Sequence, residues 1–163
     1  MLIAVLSDSH SDYANIELAL ERLRGSGVEH VLHCGDIADS MAVEMFSEFP
    51  TSFVFGNVDS DLAGLRRAME RSGNRCCGKV GEVELAGRKI AFTHGDDHRT
   101  LRSLEQSGLH DMVCYGHTHV AEQHQVGATL VLNPGALHRA RTKTIAIVDL
   151  STMRAETVAI AGM

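Results

Sequence analysis

The apolar residues of this chain fall into short runs, and most of these runs stop abruptly at a small residue beside a side chain able to bind a metal. Leu2–Leu6 gives way to Ser7-Asp8-Ser9-His10, Val31–Cys34 to Gly35-Asp36, and Thr51–Phe55 to Gly56-Asn57. Lys89–Thr93 is followed by His94-Gly95, and Met112–Tyr115 by Gly116-His117-Thr118-His119. Continuous apolar runs of this length belong to strands covered on both faces, as in a parallel sheet packed between helices. An α/β arrangement is therefore the first expectation.

The segments between the runs agree. Residues 15 to 24 carry Ile16, Leu20 and Leu23 at helical spacing, residues 40 to 48 are followed by the same stripe through Met41, Met45 and Phe49, and 61 to 71 reads as a third helix. The rhythm then changes. Val80–Leu85 and Lys89–Thr93 alternate across Ala86-Gly87 as a hairpin would, and a helix is expected near 99 to 106. Thr129–Leu132, Thr144–Leu150 and Ala155–Ile160 supply three further strands with no helix between them. Helical crossovers early and hairpins late predict two packed sheets flanked by helices.

Composition narrows the partners. No Pro-, Gly- or Ser-rich stretch interrupts the 163 residues, so a single domain over 1–163 is expected. With 44% hydrophobic but only 4% aromatic residues, the core must be built from aliphatic side chains. Fifteen Lys and Arg against 21 Asp and Glu, a net charge of -6, leave no basic surface for tracking a long nucleic acid. No apolar span approaches the roughly 20 residues needed to cross a membrane, so a soluble, cytoplasmic protein is expected. Cys34 and Cys114 end apolar segments and Cys76 and Cys77 are adjacent, which points to reduced thiols rather than disulfides.

In an open α/β sheet, ligands gather at the carboxyl ends of the strands. Five segments thus deliver Asp8, His10, Asp36, Asn57, His94, His117 and His119 toward one edge. Side chains two apart on extended chain point the same way, so Asp8 with His10, and His117 with His119, are each expected to face one ion. Any one of these residues alone is ordinary: a strand-terminal Asp caps turns and helices, and Gly-Asn marks a turn. Their ordered combination carries the signal.

Asp8-x-His10, Gly35-Asp36, Gly56-Asn57-x-Asp59, His94-Gly95 and Gly116-His117-Thr118-His119 resemble the five ordered motifs of the calcineurin-like metallophosphoesterase superfamily. Asn133-Pro134-Gly135 extends the similarity to its small bacterial and archaeal phosphodiesterase branch. The resemblance implies a four-layer αββα sandwich of two mixed sheets flanked by helices. It implies one metal on Asp8, His10, Asp36 and His119 and a second on Asp36, Asn57, His94 and His117, with Asp36 bridging. Asp36, Asn57 and His94 would be the catalytic ligands, positioning a metal-bridging hydroxide for in-line attack on a small phosphate diester. A ligand set of imidazole, carboxylate and amide without thiolate favours Mn²⁺ first, with Fe²⁺, Ni²⁺ or Zn²⁺ as alternatives.

Two departures from the family pattern stand out. Val58 occupies the position where larger members carry a His that assists the leaving group, and valine has no proton to give. Ala136 replaces the usual Ser after the Asn-Pro-Gly loop. Asp59 is expected to be structural, His33 a packed strand histidine, and Asp96, Asp97 and His98 a solvated loop. Arg139 and Arg141 remain open as phosphate contacts. Phosphomonoesterase, nucleotide pyrophosphatase and a metal-binding scaffold of the retromer-subunit type remain the alternative functions, and a homo-oligomer is an open alternative to a monomer.

Overall fold

The computed structural model describes residues 1–161. Its first half alternates strand and helix: β1 (Leu2–Leu6), α1 (Tyr13–Leu23), β2 (Val28–His33), α2 (Ser40–Met45) continued by a single 3-10 turn, β3 (Thr51–Phe53), α3 (Leu62–Arg71) and the two-residue β4 (Arg75–Cys76). The second half holds β5 (Val80–Leu85), β6 (Arg88–Thr93), α4 (His98–Gln106), β7 (Met112–Cys114), β8 (Ala121–Val126), β9 (Thr129–Pro134), β10 (Thr144–Asp149) and β11 (Arg154–Ala159). Each helix starts where a short acid can cap it: Asp12, Asp39, Asp61 and Asp97 accept from backbone N–H groups of the first turn of α1 to α4.

The strands form two mixed sheets, ordered β11-β10-β1-β2-β3-β4 and β5-β6-β7-β9-β8. β1, β2, β3 and β4 pair in parallel, as do β6, β7 and β9, while the hairpin strands pair antiparallel. Three separate apolar cores prove the layering. Ile16, Leu20, Leu23, Val43, Phe46, Leu65 and Met69 pack α1, α2 and α3 onto the first sheet. Ile3, Val5, Leu32, Ile90, Phe92, Met112 and Val148 fill the space between the sheets. Leu101 seats α4 on Ala91, Val113 and Val131 of the second sheet. This is the expected αββα sandwich, and aliphatic side chains dominate all three cores.

Two strands escape the hydrophobic pattern. β8 is an edge strand exposed along nearly its whole length, so Ala121–Val126 shows neither alternation nor an apolar run. β4 is too short to carry a pattern of its own. All four cysteines are unpaired. Among the described residues no helix is long and apolar enough to cross a membrane.

Candidate metal centre

All seven of the side chains singled out from the sequence meet at the carboxyl ends of β1, β2, β3, β6 and β7. Asp8 Oδ1 lies 3.1 Å from His119 Nε2, 3.8 Å from His10 Nε2 and 4.0 Å from His94 Nε2. Asp36 Oδ2 sits between His94 Nε2 at 3.2 Å and His10 Nε2 at 3.5 Å. Asn57 Oδ1 and His117 Nδ1 approach His94 Nε2 at 3.0 and 3.3 Å. Donor atoms of Asp8, His10 and His119, and of Asp8, Asp36 and His94, are close enough to share an ion within each group.

The convergence does not come from extended chain. Asp8, His10, Asp36, His117 and His119 all adopt left-handed backbone, with φ of 54°, 43°, 56°, 68° and 59°. Such conformations cost about 1–3 kcal/mol each in non-glycine residues and persist only where surrounding structure enforces them. The tight turns curl Asp8 and His10 back over the strand end, so they meet for a different reason than the spacing argument supplies. They also separate His117 from His119: the first contacts His94 and the second Asp8. Two histidines that extended chain would aim at one ion therefore face opposite halves of the cluster.

Backbone hydrogen bonds stitch the ligand loops together. Asp8 N–H donates to the Gly35 carbonyl, His10 N–H to that of Asp36, and Gly116 N–H to that of His94. His117 N–H donates to Asp8 Oδ2 and Val58 N–H to Asp36 Oδ1, each at 3.0 Å. Close approach also explains two of the glycines, since a Cβ on Gly56 would strike Asp36 and one on Gly116 would strike Ser7 and Asp8.

Asp59 does more than shape a turn. Its Oδ1 accepts from the N–H groups of Ile37 and Ala38, both at 2.8 Å, and its Oδ2 from those of Asp36 at 3.0 Å and Gly56 at 2.7 Å. One buried carboxylate thus fixes the backbone on both sides of Asp36. Asn133 does the same for the histidine loop, donating from Nδ2 to the Gly116 carbonyl and to Thr118 Oγ1. The structural role expected of Asp59 is thus borne out, while the groups that it and Asn133 reach lie on distant segments and leave no mark in the sequence.

The donor set fits a cation. His94 Nδ1 faces the Cys34 carbonyl at 2.8 Å; a carbonyl can only accept, so Nδ1 carries hydrogen and a neutral ring leaves Nε2 bare. That nitrogen then points at the acceptors Asp36 Oδ2 and Asn57 Oδ1, which a cation or a proton beside them would satisfy, with His117 Nδ1 at 3.3 Å. Burial alone would pull His94 down, but the Asp36 carboxylate outweighs it and holds the ring above its ordinary pKa. Burial likewise opposes ionisation of Asp36, yet the His94 contact and the Val58 N–H hold it below the usual carboxylate range. Among the described residues Asp8 Oδ1 and His10 Nε2 are buried without a hydrogen-bond partner, a need that a cation between them would meet.

The remaining candidates lie elsewhere. Asp97 caps α4, and His98 and Asp96 are exposed. His33 is fully buried, stacked on Phe53, with Nδ1 accepting from Gly35 N–H and Nε2 on Ser9 Oγ. Val58 is 41% exposed, and its contact with the cluster is through its N–H to Asp36 Oδ1.

The fold and this cluster define a class of α/β sandwich proteins that cage cations at the carboxyl ends of strands from both sheets. The chain belongs to the calcineurin-like phosphoesterase superfamily, whose domain profile matches residues 1–153. It is 32% identical over 138 residues to phosphodiesterase MJ0936 of Methanocaldococcus jannaschii, covering 83% of each chain. A solved structure described as a novel archaeal phosphodiesterase superimposes with a TM-score of 0.92 at 30% identity, covering 98% of this chain and 99% of that one. Entamoeba histolytica Vps29 complexed with Zn²⁺ shares the fold, with a TM-score of 0.70 at 18% identity over 99% of this chain and 100% of that one.

Proposed function

We propose that the protein is a phosphodiesterase that holds two divalent cations and hydrolyses a small phosphate diester by in-line displacement. The observation that carries this reading is the convergence of Asp8, Asp36 and His94, all buried, with His10, where His10 Nε2 and Asp8 Oδ1 are buried without a hydrogen-bond partner among the described residues. Asp8, His10, Asp36 and His119 are assigned to one cation and Asp36, Asn57, His94 and His117 to the other. Asp36, whose Oδ2 lies 3.5 Å from His10 Nε2 and 3.2 Å from His94 Nε2, would serve both cations. When bound, the cations supply positive charge for the phosphate and make a water acidic enough to act as nucleophile near neutral pH.

The chain's own residues set the geometry for that chemistry. The two carboxylates reduce a charge of four to two, which leaves the cluster attractive to an anionic ester on an acidic protein. His94, held through Nδ1 by the Cys34 carbonyl, keeps Nε2 aimed at Asp36 and Asn57 as substrate enters. With valine at 58, expulsion of the leaving group has no side-chain acid from that position, which favours esters whose alcohols leave readily. Mn²⁺ suits the mixed nitrogen and oxygen donors, with Fe²⁺, Ni²⁺ or Zn²⁺ as substitutes. Four free thiols accord with action in the cytoplasm.

The reading is tested by metal analysis of the purified protein, followed by assays of bis-p-nitrophenyl phosphate and p-nitrophenyl phosphate with added Mn²⁺. Diester turnover that exceeds monoester turnover and disappears in Asp36→Asn is expected. Preference for the monoester would replace the diesterase reading with a phosphomonoesterase, and tight metal binding with no turnover of any ester would leave a scaffold.

A further inference from the structure

The segment that follows β9 is fastened to the ligand-bearing turn between β1 and α1. Leu137 N–H donates to the Ser7 carbonyl at 3.3 Å, and Asn15 Nδ2 donates to the Leu137 carbonyl at 2.9 Å. His138 Nδ1 meets Asp12 Oδ2 at 3.1 Å, and its ring centroid lies 5.3 Å from that of the candidate ligand His10. Asp12 therefore caps α1 and anchors this segment at once. The residues beyond His138 leave from the rim of the metal centre.

Those residues are cationic and unpaired. Arg139, Arg141 and Lys143 make no hydrogen bond through their side chains and, like most Lys and Arg of this chain, have no carboxylate within ion-pair distance among the described residues. Nor is an acid nearby in sequence: in a chain of net charge -6, no Asp or Glu occurs from Gln123 to Val148. Arg139 and Arg141 are exposed.

Arg139 also has left-handed backbone. Its φ is 50°. The other left-handed non-glycine residues are Asp8, His10, Ser11, Asp36, Ala38, His117 and His119 on the ligand loops, and Ala86 and Met153 in the β5–β6 and β10–β11 turns. Arg139 lies in no hairpin, and strain of this kind concentrates where function fixes a residue's direction.

From the pinned segment, its uncompensated cations and this strain, we infer that Arg139 and Arg141 receive a second anionic group on the substrate, a phosphate separate from the scissile diester. The inference rests on the phosphodiesterase reading. The scissile phosphate carries one negative charge and is met by the cations of the metal centre, so further positive charge at the rim has a second anion as its fitting partner. Guanidinium groups grip phosphate oxygens in pairs, which gives position as well as attraction.

The test compares the p-nitrophenyl ester of thymidine 5′-phosphate with the same ester bearing a 3′-phosphate, using the Mn²⁺-loaded protein. Wild type is expected to favour the 3′-phosphorylated ester by about tenfold or more in kcat/KM, chiefly through KM, as the loss of a charged hydrogen-bonding pair would predict. Arg139→Gln with Arg141→Gln should bring the two esters to within about twofold of each other by slowing only the phosphorylated one, and Arg139→Lys with Arg141→Lys should restore part of the preference. Equal treatment of both esters by wild type, or an equal loss for both in the glutamine variant, would overturn the inference while leaving the phosphodiesterase reading intact. Failure of wild type on both esters while it hydrolyses bis-p-nitrophenyl phosphate would overturn the inference alone, and failure on all three would overturn both.

Discussion

Replacing Asp59 by Asn is the sharpest test of how the metal centre is held. The substitution keeps shape and burial but exchanges one carboxylate oxygen for an NH₂ group. In the native protein each oxygen accepts two backbone N–H groups, those of Ile37 and Ala38 on one and those of Asp36 and Gly56 on the other. Whichever way the amide turns, two N–H groups then face a donor. Hydrogen bonds to a charged acceptor contribute about 1.5–3 kcal/mol each, so the unrelaxed cost is about 3–6 kcal/mol. For a chain of this size that corresponds to a fall in Tm of roughly 6–24 °C.

The more telling consequence concerns Asp36, whose left-handed backbone is held by those bonds. Loosening it should weaken Mn²⁺ binding by about 10- to 100-fold, the usual effect of removing a group that orients a metal ligand. Calorimetric titration with Mn²⁺ measures this directly, at a temperature where the variant is fully folded. Leu20→Ala is the control: Leu20 is buried between α1 and the first sheet, its truncation costs about 2–5 kcal/mol, and it should leave Mn²⁺ affinity unchanged. If Asp59→Asn lost stability as Leu20→Ala does but bound Mn²⁺ within threefold of wild type, Asp59 would be a fold residue only and the argument would fail.

Further outcomes are expected. Val58→His places an imidazole beside Asn57 at an exposed position and should raise kcat for diesters with poor leaving groups by up to about 10²-fold, with little change for nitrophenyl esters; equal effects on both classes would refute the role given to that position. Mn²⁺ affinity should fall on acidification, starting above pH 6.5, because His94 holds its proton above the ordinary histidine value and must release it to take a cation; calorimetry in buffers of different ionisation enthalpy would show the proton. His33 is pushed down to about 3 by burial, so below pH 6.5 the unfolded chain binds a proton that the folded protein refuses. The His33 contribution should be lower by about 2 kcal/mol at pH 5 than above pH 6.5, read as the pH-dependent difference in urea unfolding between wild type and His33→Gln.

The parts of this molecule legible in its sequence are those in which local chemistry and long-range position coincide. The apolar runs Leu2–Leu6, Val31–Cys34 and Met112–Tyr115 announce buried parallel strands because both their faces are covered, and their ends announce the site because chain reversal and polar side chains occur together there. β8 was hidden for the opposite reason: it pairs with β9 along one edge while its side chains remain in solvent, so its membership of the sheet rests on backbone bonds that leave no hydrophobic trace.

The same division runs through the metal centre. Asp8, Asp36 and His94 can be picked out by residue type, since few other side chains bind cations. Asp59 and Asp12 are chemically identical to any turn or cap aspartate, and what distinguishes them is which distant groups they reach: four N–H groups around Asp36 for one, the ring of His138 for the other. Nor could spacing foresee that Asp8 and His10 converge through left-handed turns, because two-residue periodicity applies only to extended chain. A cluster of like acceptors brought together on strained backbone is unfavourable by itself, and the loops can hold it only because carboxylates such as Asp59 bind their N–H groups from behind. Residue type picks out the candidate ligands, whereas the carboxylate that holds their loops is recognisable only by the distant N–H groups it reaches.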